Sequence, residues 1–310
     1  MANKKNKVSF AKDMQKNYPV YVMFLPVLAF YLIFHYYPMA GIVMAFKNYK
    51  ASLGIWASPW TTMHGFKHFY KFFTSAFFWR TIRNTTLLSL YQLIFGFPAP
   101  ILLALMLTEL RSNGFKRVMQ TITYLPHFIS TVVICGMLIE FCLTDGLFNQ
   151  IGALFGAEAI PFLSRPQYFR TIYVGSGIWQ QIGWNSIIYL AAIAGIDLQL
   201  YEAAELDGAG RFRKIWNITL PGIKSTIVVL LIMQIGRIMS IGHDKTLLLQ
   251  TDGNLQTSEI ISTYVYKQGL GANNDFSYST AVNLFNSVIN FTLVILANFI
   301  SRKVSETSLF

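Results

Sequence analysis

Five side chains able to hydrogen-bond or stack crowd one stretch of otherwise apolar sequence: Trp179, Gln180, Gln181, Trp184 and Asn185. Gln180 with Trp184, and Gln181 with Asn185, stand four apart, so on a helix each pair shares a face. A second set, Asn283, Asn286 and Asn290, recurs at i, i+3 and i+7 as a polar stripe. Amides offer both donors and acceptors and indoles offer flat faces, the chemistry that holds a polar solute without reacting with it. The competing use is structural, because amides also glue membrane helices together and Trp marks the membrane interface. A helix face is about 100° wide, so all five residues of the first set cannot point into one path. His127 and Gln234 read as helix-packing hydrogen bonders.

No Ser/His/Asp set, paired carboxylates or metal-ligand spacing accompanies these residues, which leaves catalysis without a centre. Cys135 and Cys142 lie in one apolar segment, roughly 10 Å apart along a helix, too far for a disulfide. No G-x-x-x-x-G-K-[ST] loop occurs, so the chain does not hold ATP by that device.

The elements that position the amides are set by composition. Of 310 residues, 54% are hydrophobic and 13% charged, against about 25% charged in a soluble domain. A bilayer is therefore the expected solvent. Lys and Arg outnumber Asp and Glu by 25 to 14, but they are scattered between apolar blocks, which fits anionic lipid and topology and not nucleic acid. Runs free of charge cover 17–46, 84–108, 118–139, 171–196 and 276–301, each long enough for the roughly 20 helical residues that cross a bilayer. A weaker sixth run, 225–242, is interrupted by Arg237, whose long side chain is expected to snorkel to the interface. The shorter run 51–66, broken by Gly54, Pro59 and Gly65, reads as an external or surface-lying segment. Pro26, Pro98, Pro100 and Pro126 read as bends.

A basic tail (Lys4, Lys5, Lys7, Lys12, Lys16) precedes the first run, which is expected to stay as an uncleaved anchor. An inside N-terminus puts 108–117, 197–224 and the tail from 302 in the cytoplasm. The charge bias alone is weak, because Lys47, Lys50, Lys67, Lys71, Arg80 and Arg83 crowd the first external loop.

One cytoplasmic loop differs from the rest. Glu202-Ala203-Ala204-Glu205-Leu206-Asp207-Gly208 is followed nine residues later by Ile218-Thr219-Leu220-Pro221. Leu200 to Asp207 has good helix formers, and Gly208 and Gly210 break the run. Arg211 to Thr219 resumes it, with Phe212, Ile215, Trp216 and Thr219 expected on one side and Pro221 as the stop. Two short helices at a bend follow, too polar for lipid, with small Ala203 and Ala204 where another protein surface can approach.

Glu-Ala-Ala, three residues, Gly, nine residues, then Ile-x-Leu-Pro resembles the signature loop of permease subunits of ATP-binding-cassette importers at every motif position. Tyr37-Pro38-Met39-Ala40-Gly41, Ser58-Pro59-Trp60, Gly96-Phe97-Pro98-Ala99-Pro100, Tyr124-Leu125-Pro126-His127-Phe128-Ile129-Ser130 and Ser301-Arg302-Lys303 extend the likeness to the carbohydrate-uptake class. Within it they resemble the polysaccharide-type permeases that work beside a second, related permease, and this chain resembles the first of the two. The resemblance implies an all-α integral membrane protein with six transmembrane helices and a cytoplasmic coupling-helix loop between helices 4 and 5. It implies a permease domain over 19–301, with its coupling loop at 199–221, between tails at 1–18 and 302–310. It makes Glu202, Ala203, Ala204, Gly208, Ile218, Leu220 and Pro221 the ATPase-coupling residues, and the two amide sets candidates for the solute path.

The implied partners are a second permease, a cytoplasmic ATPase dimer carrying ATP and Mg, an extracellular solute-binding protein and a carbohydrate, in the plasma membrane of a bacterium with both termini cytoplasmic. No cofactor is implied in this chain, and no nucleic-acid partner. The alternative, a secondary transporter, would place Asp or Glu deep in the spans. Glu109 and Glu140 lie at span edges instead.

Overall fold

The computed structural model describes residues 14–271 and 274–304; Lys4, Lys5, Lys7, Lys12 and the tail from 305 lie outside the described residues. The described chain is nearly all helix, with an isolated bridge between Lys47 and Trp60. Its main helices, in order, are α1 (Tyr18–Phe46), α2 (Lys67–Phe73), α3 (Phe78–Thr108), α4 (Asn113–Phe128), α5 (Thr131–Phe141) and α6 (Pro166–Ala194). They continue as α7 (Leu198–Leu206), α8 (Arg211–Gly222), α9 (Lys224–Ile235), α10 (His243–Leu249), α11 (Ile261–Gly269) and α12 (Phe276–Val304). Among the described residues, α1, α3 and α12 are each long and apolar enough to cross a membrane alone. Six spans are reached when the bent pairs α4/α5 (95°), α6/α7 (72°) and α8/α9 (62°) each count as one.

Three expectations are corrected by this geometry. The run 118–139 is two helices, not one. Pro126 lacks an N–H, the chain tightens into a 3-10 turn over Leu125–Phe128, and Ser130 starts a new helix by accepting from the Val133 amide. The run 225–242 is helical only to Ile235, after which the backbone unwinds. Its freed peptide groups are met by side chains: Asn286 donates to the Met239 carbonyl at 3.0 Å, Asn290 accepts from the Met239 amide at 2.9 Å, and Ser89 donates to the Ile238 carbonyl. Lipid offers no such partners, so an unwound segment at this depth needs them from neighbouring helices.

Pro221 does not stop its helix either. It sits inside α8, two residues after a π-turn over Ile215–Thr219, and the bend comes at Ile223. The same pairing occurs at Leu32–Tyr36 before Pro38 and at Gln92–Gly96 before Pro98. A proline ring pushes on the carbonyl four residues back and donates nothing, and widening that turn relieves both problems.

The bundle is organised around α6. Its first half packs Phe169, Tyr173 and Val174 against Leu88, Cys135, Leu249 and Ile260. Its second half packs Tyr189 and Ile193 against Ile101, Ala104, Leu105 and Ile223. α4 approaches α6 backbone to backbone, since a Cβ on Gly183 would lie 2.1 Å from the Thr123 carbonyl oxygen. By contrast, no residue of Tyr18–Tyr31 is buried, and α1 is held through Ala40–Phe46 against α2 and α12.

α2, α11 and the start of α12 form a layer at one end of the bundle, where Phe72, Ile261, Tyr264 and Tyr278 are buried and Lys71 pairs with Asp275 at 3.3 Å. α3 begins six residues before its uncharged run, because Arg80 pairs with Glu259 of this layer and Asn84 donates to the Gln256 and Glu259 carbonyls. His68 is buried here. Burial pushes its imidazole below the ordinary 6.5, outweighing the opposite pull of Asp275, and Lys71 and Lys67 add to the lowering. The folded state therefore favours neutral His68, so this stability is complete above about pH 6.5 and fades as pH falls below it. The Tm of the purified protein should drop more between pH 7.5 and pH 5 than that of His68→Phe; equal drops would clear His68 of the effect.

Candidate functional site: a cationic cleft beside α6 and a paired helix at its far end

A cleft of about 340 Å³ opens along α6, walled by Ser89 and Gln92 of α3, Thr131 of α5, Gly177, Gln180 and Gln181 of α6, Gln234 of α9, Arg237 and Ser240 of the unwound segment, and Lys245 of α10. A second hollow of about 220 Å³ continues it towards α7, adding Asn185, Tyr189 and Met233 and sharing Gln92, Gln234 and Arg237. Arg237 and Lys245 are the charged groups of the lining, and no carboxylate lines either hollow. Arg237 is exposed to the cleft, with no carboxylate within 4 Å among the described residues. The Lys245 ammonium donates to the Tyr173 carbonyl at 2.9 Å and lies 4.9 Å from the centre of that ring. Gly177 leaves the space in which the cleft's groups converge, since a Cβ there would stand 3.4 Å from both Lys245 Nζ and Gln92 Oε1.

The sequence-derived amides separate. Gln181 and Asn185 face the two hollows, and Gln181 Oε1 lies 2.9 Å from His127 Nδ1. Gln180 lines the cleft but is only 6% exposed and donates to the Ile129 carbonyl across the α4/α5 bend. Trp184 stacks flat on His127, centroids 4.3 Å apart. Trp179 is turned to the other side of α6, into an apolar groove with Ile134 and Met137. None of Asn283, Asn286 and Asn290 lines the cleft; Asn283 is exposed on α12, and the other two hold the unwound segment.

Sequence reasoning missed Gln92, Lys245 and the role of Arg237, which does not snorkel outward but enters the cleft because the helix has ended before it. The available signal was that Arg237 is the one charge within an otherwise apolar run.

At the far end of α6, Asp197 caps α7 by accepting from the Gln199 amide at 2.9 Å. Gly208 ends α7 at φ +72, and the Ala209 amide bonds back to the Ala204 carbonyl at 2.8 Å. Lys214 pairs with Glu205 across this bend at 2.6 Å and holds the Glu205 carboxyl below its ordinary range. Tyr201 and Thr219 hydroxyls meet at 2.9 Å, and Arg211 reaches Glu109 at the end of α3 at 3.7 Å. The two helices are thus braced to each other and to α3.

Glu202, Ala203, Gly208 and Pro221 are exposed, and Ala204, Ile218 and Leu220 are half-buried. The face expected from Phe212, Ile215, Trp216 and Thr219 divides, because the π-turn shifts the register: Thr219 is buried, while Phe212 and Trp216 are 89% and 73% exposed. With Leu206 at 90%, large apolar side chains stand out from a polar element, the pattern of a surface that another protein covers.

Residues 96–306 match the family described as the binding-protein-dependent transport system inner membrane component. The chain is 42% identical over 304 residues to Protein LplB of Bacillus subtilis (strain 168), covering 98% of this chain and 94% of LplB. It is 45% identical over 307 residues to the polygalacturonan/rhamnogalacturonan transport system permease protein YteP of the same organism, covering 99% and 94%. Among solved structures, it superposes with TM-score 0.88 and 41% identity on a chain of a bacterial alginate ABC transporter in complex with its alginate pentasaccharide-bound periplasmic protein, covering 97% of this chain and 99% of that one. The chain therefore belongs to the family of inner membrane components of binding-protein-dependent transport systems, as a transport permease and not an enzyme.

Proposed function

We propose that this permease forms half of the import path for an acidic oligosaccharide, beside a second permease, and that α7 and α8 couple it to a cytoplasmic ATPase dimer. The observation that carries the solute class is the cleft, in which Arg237 and Lys245 stand among amides with no carboxylate in the lining. Guanidinium and ammonium groups bind carboxylates by charge-assisted hydrogen bonds, and amides such as Gln181, Asn185, Gln92 and Gln234 suit hydroxyls. Relatives named for alginate and polygalacturonan support the same reading.

In this reading the N-terminus and the α7–α8 element face the cytoplasm, ATP and Mg stay on the partner, and an external binding protein delivers the sugar. The test is reconstitution of the four-part assembly in liposomes with ATP, comparing oligogalacturonides or alginate oligomers with neutral oligosaccharides of equal length. Preferred uptake of the acidic series supports the proposal. Equal uptake removes the acidic assignment, and uptake by this chain alone removes the assembly.

The coupling role makes its own prediction. A β-branched residue at Gly208 must adopt a left-handed backbone that costs roughly 1–2 kcal/mol, and Glu202→Lys reverses an exposed charge on the docking face. Gly208→Val and Glu202→Lys should each cut solute-stimulated ATP hydrolysis about tenfold while the permease still inserts. Unchanged stimulation in both would move the coupling surface elsewhere.

A further inference from the structure

We infer that the side of α6 turned away from the cleft seats one anionic diacyl phospholipid, with its phosphate at Arg170 and its two chains on either side of Gly175. Two grooves run along this side. One, of about 450 Å³, lies against α5 and is walled by apolar residues including Ile134, Met137 and Trp179. The other, of about 590 Å³, lies against α3 and is headed by Arg170 and Gln167 above Phe95 and Ile178. Thr171 and Gly175 line both grooves. Because nothing lies within 4 Å of where a Gly175 Cβ would stand, the ridge between them is a low saddle.

Arg170 supplies the head of the seat. Its Nη2 donates to Asn84 Oδ1 at 3.0 Å, and its Nε is buried without a partner. Asn84 is itself committed to two carbonyls, and the nearby carboxylate, Glu259, is taken by Arg80. No carboxylate lies within 4 Å of Arg170 or of Arg83, one turn beyond Arg80, among the described residues. The rest of the half-buried guanidinium lines the groove without a carboxylate to neutralise it, and a phosphate oxygen is the acceptor that a membrane surface provides for such a charge.

Depth agrees with this chemistry. Arg170 lies about 6 Å from the start of α6, at headgroup level, and Trp179 lies roughly 13 Å deeper, among acyl chains. A cation above two diverging apolar troughs matches a two-chained lipid. A sugar has no use for the apolar groove, and a partner helix would have to bring its own anion to Arg170, which every anionic phospholipid carries.

The test is native mass spectrometry of the whole importer released from nanodiscs holding phosphatidylglycerol and phosphatidylcholine in equal amounts. The wild-type complex should keep a phosphatidylglycerol in preference to phosphatidylcholine. Arg170→Gln should lower that retention about tenfold, and Arg170→Lys should restore most of it. Gly175→Leu, which fills the saddle at an open position, should lower it with Arg170 intact, and it carries the test if Arg170→Gln does not assemble. Equal retention of the two lipids by the wild type, or retention unchanged in both Arg170→Gln and Gly175→Leu, overturns the proposal. So does a cross-link from Gly175→Cys to the second permease in the assembled complex, which would mean that polypeptide covers the saddle.

Discussion

Arg237→Glu is expected to cut uptake of acidic oligosaccharides at least a hundredfold, and Arg237→Gln about thirtyfold, with neutral solutes changed less than about threefold. A unit charge pair at 4 Å is worth about 4 kcal/mol at an effective dielectric near 20. In an open cleft solvent screening reduces this to roughly half, about 2 kcal/mol, which is lost when the cation is removed, and reversal adds repulsion. About 3 kcal/mol is two orders of magnitude. Arg237 is a cleaner probe than Lys245, whose ammonium also ties α10 to the Tyr173 carbonyl, so that its loss would loosen packing as well. The measurement is initial uptake at solute concentrations well below saturation, at matched abundance of the assembled complex. Acidic uptake left intact in Arg237→Glu, or neutral uptake falling in parallel, would remove the cleft from solute selection.

Gly183→Leu should prevent the bundle from closing. Any side chain there must displace the Thr123 carbonyl, 2.1 Å from the Cβ position, and behind it the ring of Tyr124 at 2.9 Å. Neither is the free end of a flexible side chain. Overpacking of ordinary cores costs about 1–3 kcal/mol, and here the obstacle is backbone, so the cost lies at or beyond the top of that range. Folded permease recovered from membranes should fall to a small fraction of wild type. Gly136→Ala is the control, since nothing lies within 4 Å of its Cβ position and alanine is the better helix former. If both variants fold equally well, the close approach of α4 and α6 does not hold the bundle.

Much of the local structure of α7 and α8 was legible in the sequence, because its signals are local: the Gly208 stop, the helix formers before it and the small residues beside it act within one turn. Of the breaks within the spans, the bend at Pro126 was legible and the unwinding after Ile235 was not. Gly236 lies inside a run whose one charge is Arg237, and what permits the break there is a pair of side chains far along the chain, Asn286 with Asn290. The stripe on α12 was seen as polar with two uses left open, solute path or helix packing, and Asn286 and Asn290 are spent on packing; periodicity reports a face but not what the face meets. The α6 amides divide for the same cause. Gln181 and Trp184 share a helix and both meet His127, yet of the two Gln181 alone lines the cleft.

The π-turn over Gln92–Gly96 gives α3 two faces out of step with each other. Asn84, Thr85 and Leu88 before it address the end layer and the first half of α6, while Ile101, Ala104 and Leu105 after it address the second half. That turn holds one residue more than an α-turn, and each residue of helix turns the chain by about 100°. The widened turn absorbs that residue, so a deletion of one residue between 92 and 96 that let it close to an α-turn would leave Ile101, Ala104 and Leu105 facing α6, whereas the same deletion in the regular helix after Pro98 would rotate everything beyond it by about 100°. Along this helix the core therefore tolerates a change of length at the widened turn and not beyond it, so the place of a deletion matters as much as the identity of the residue lost.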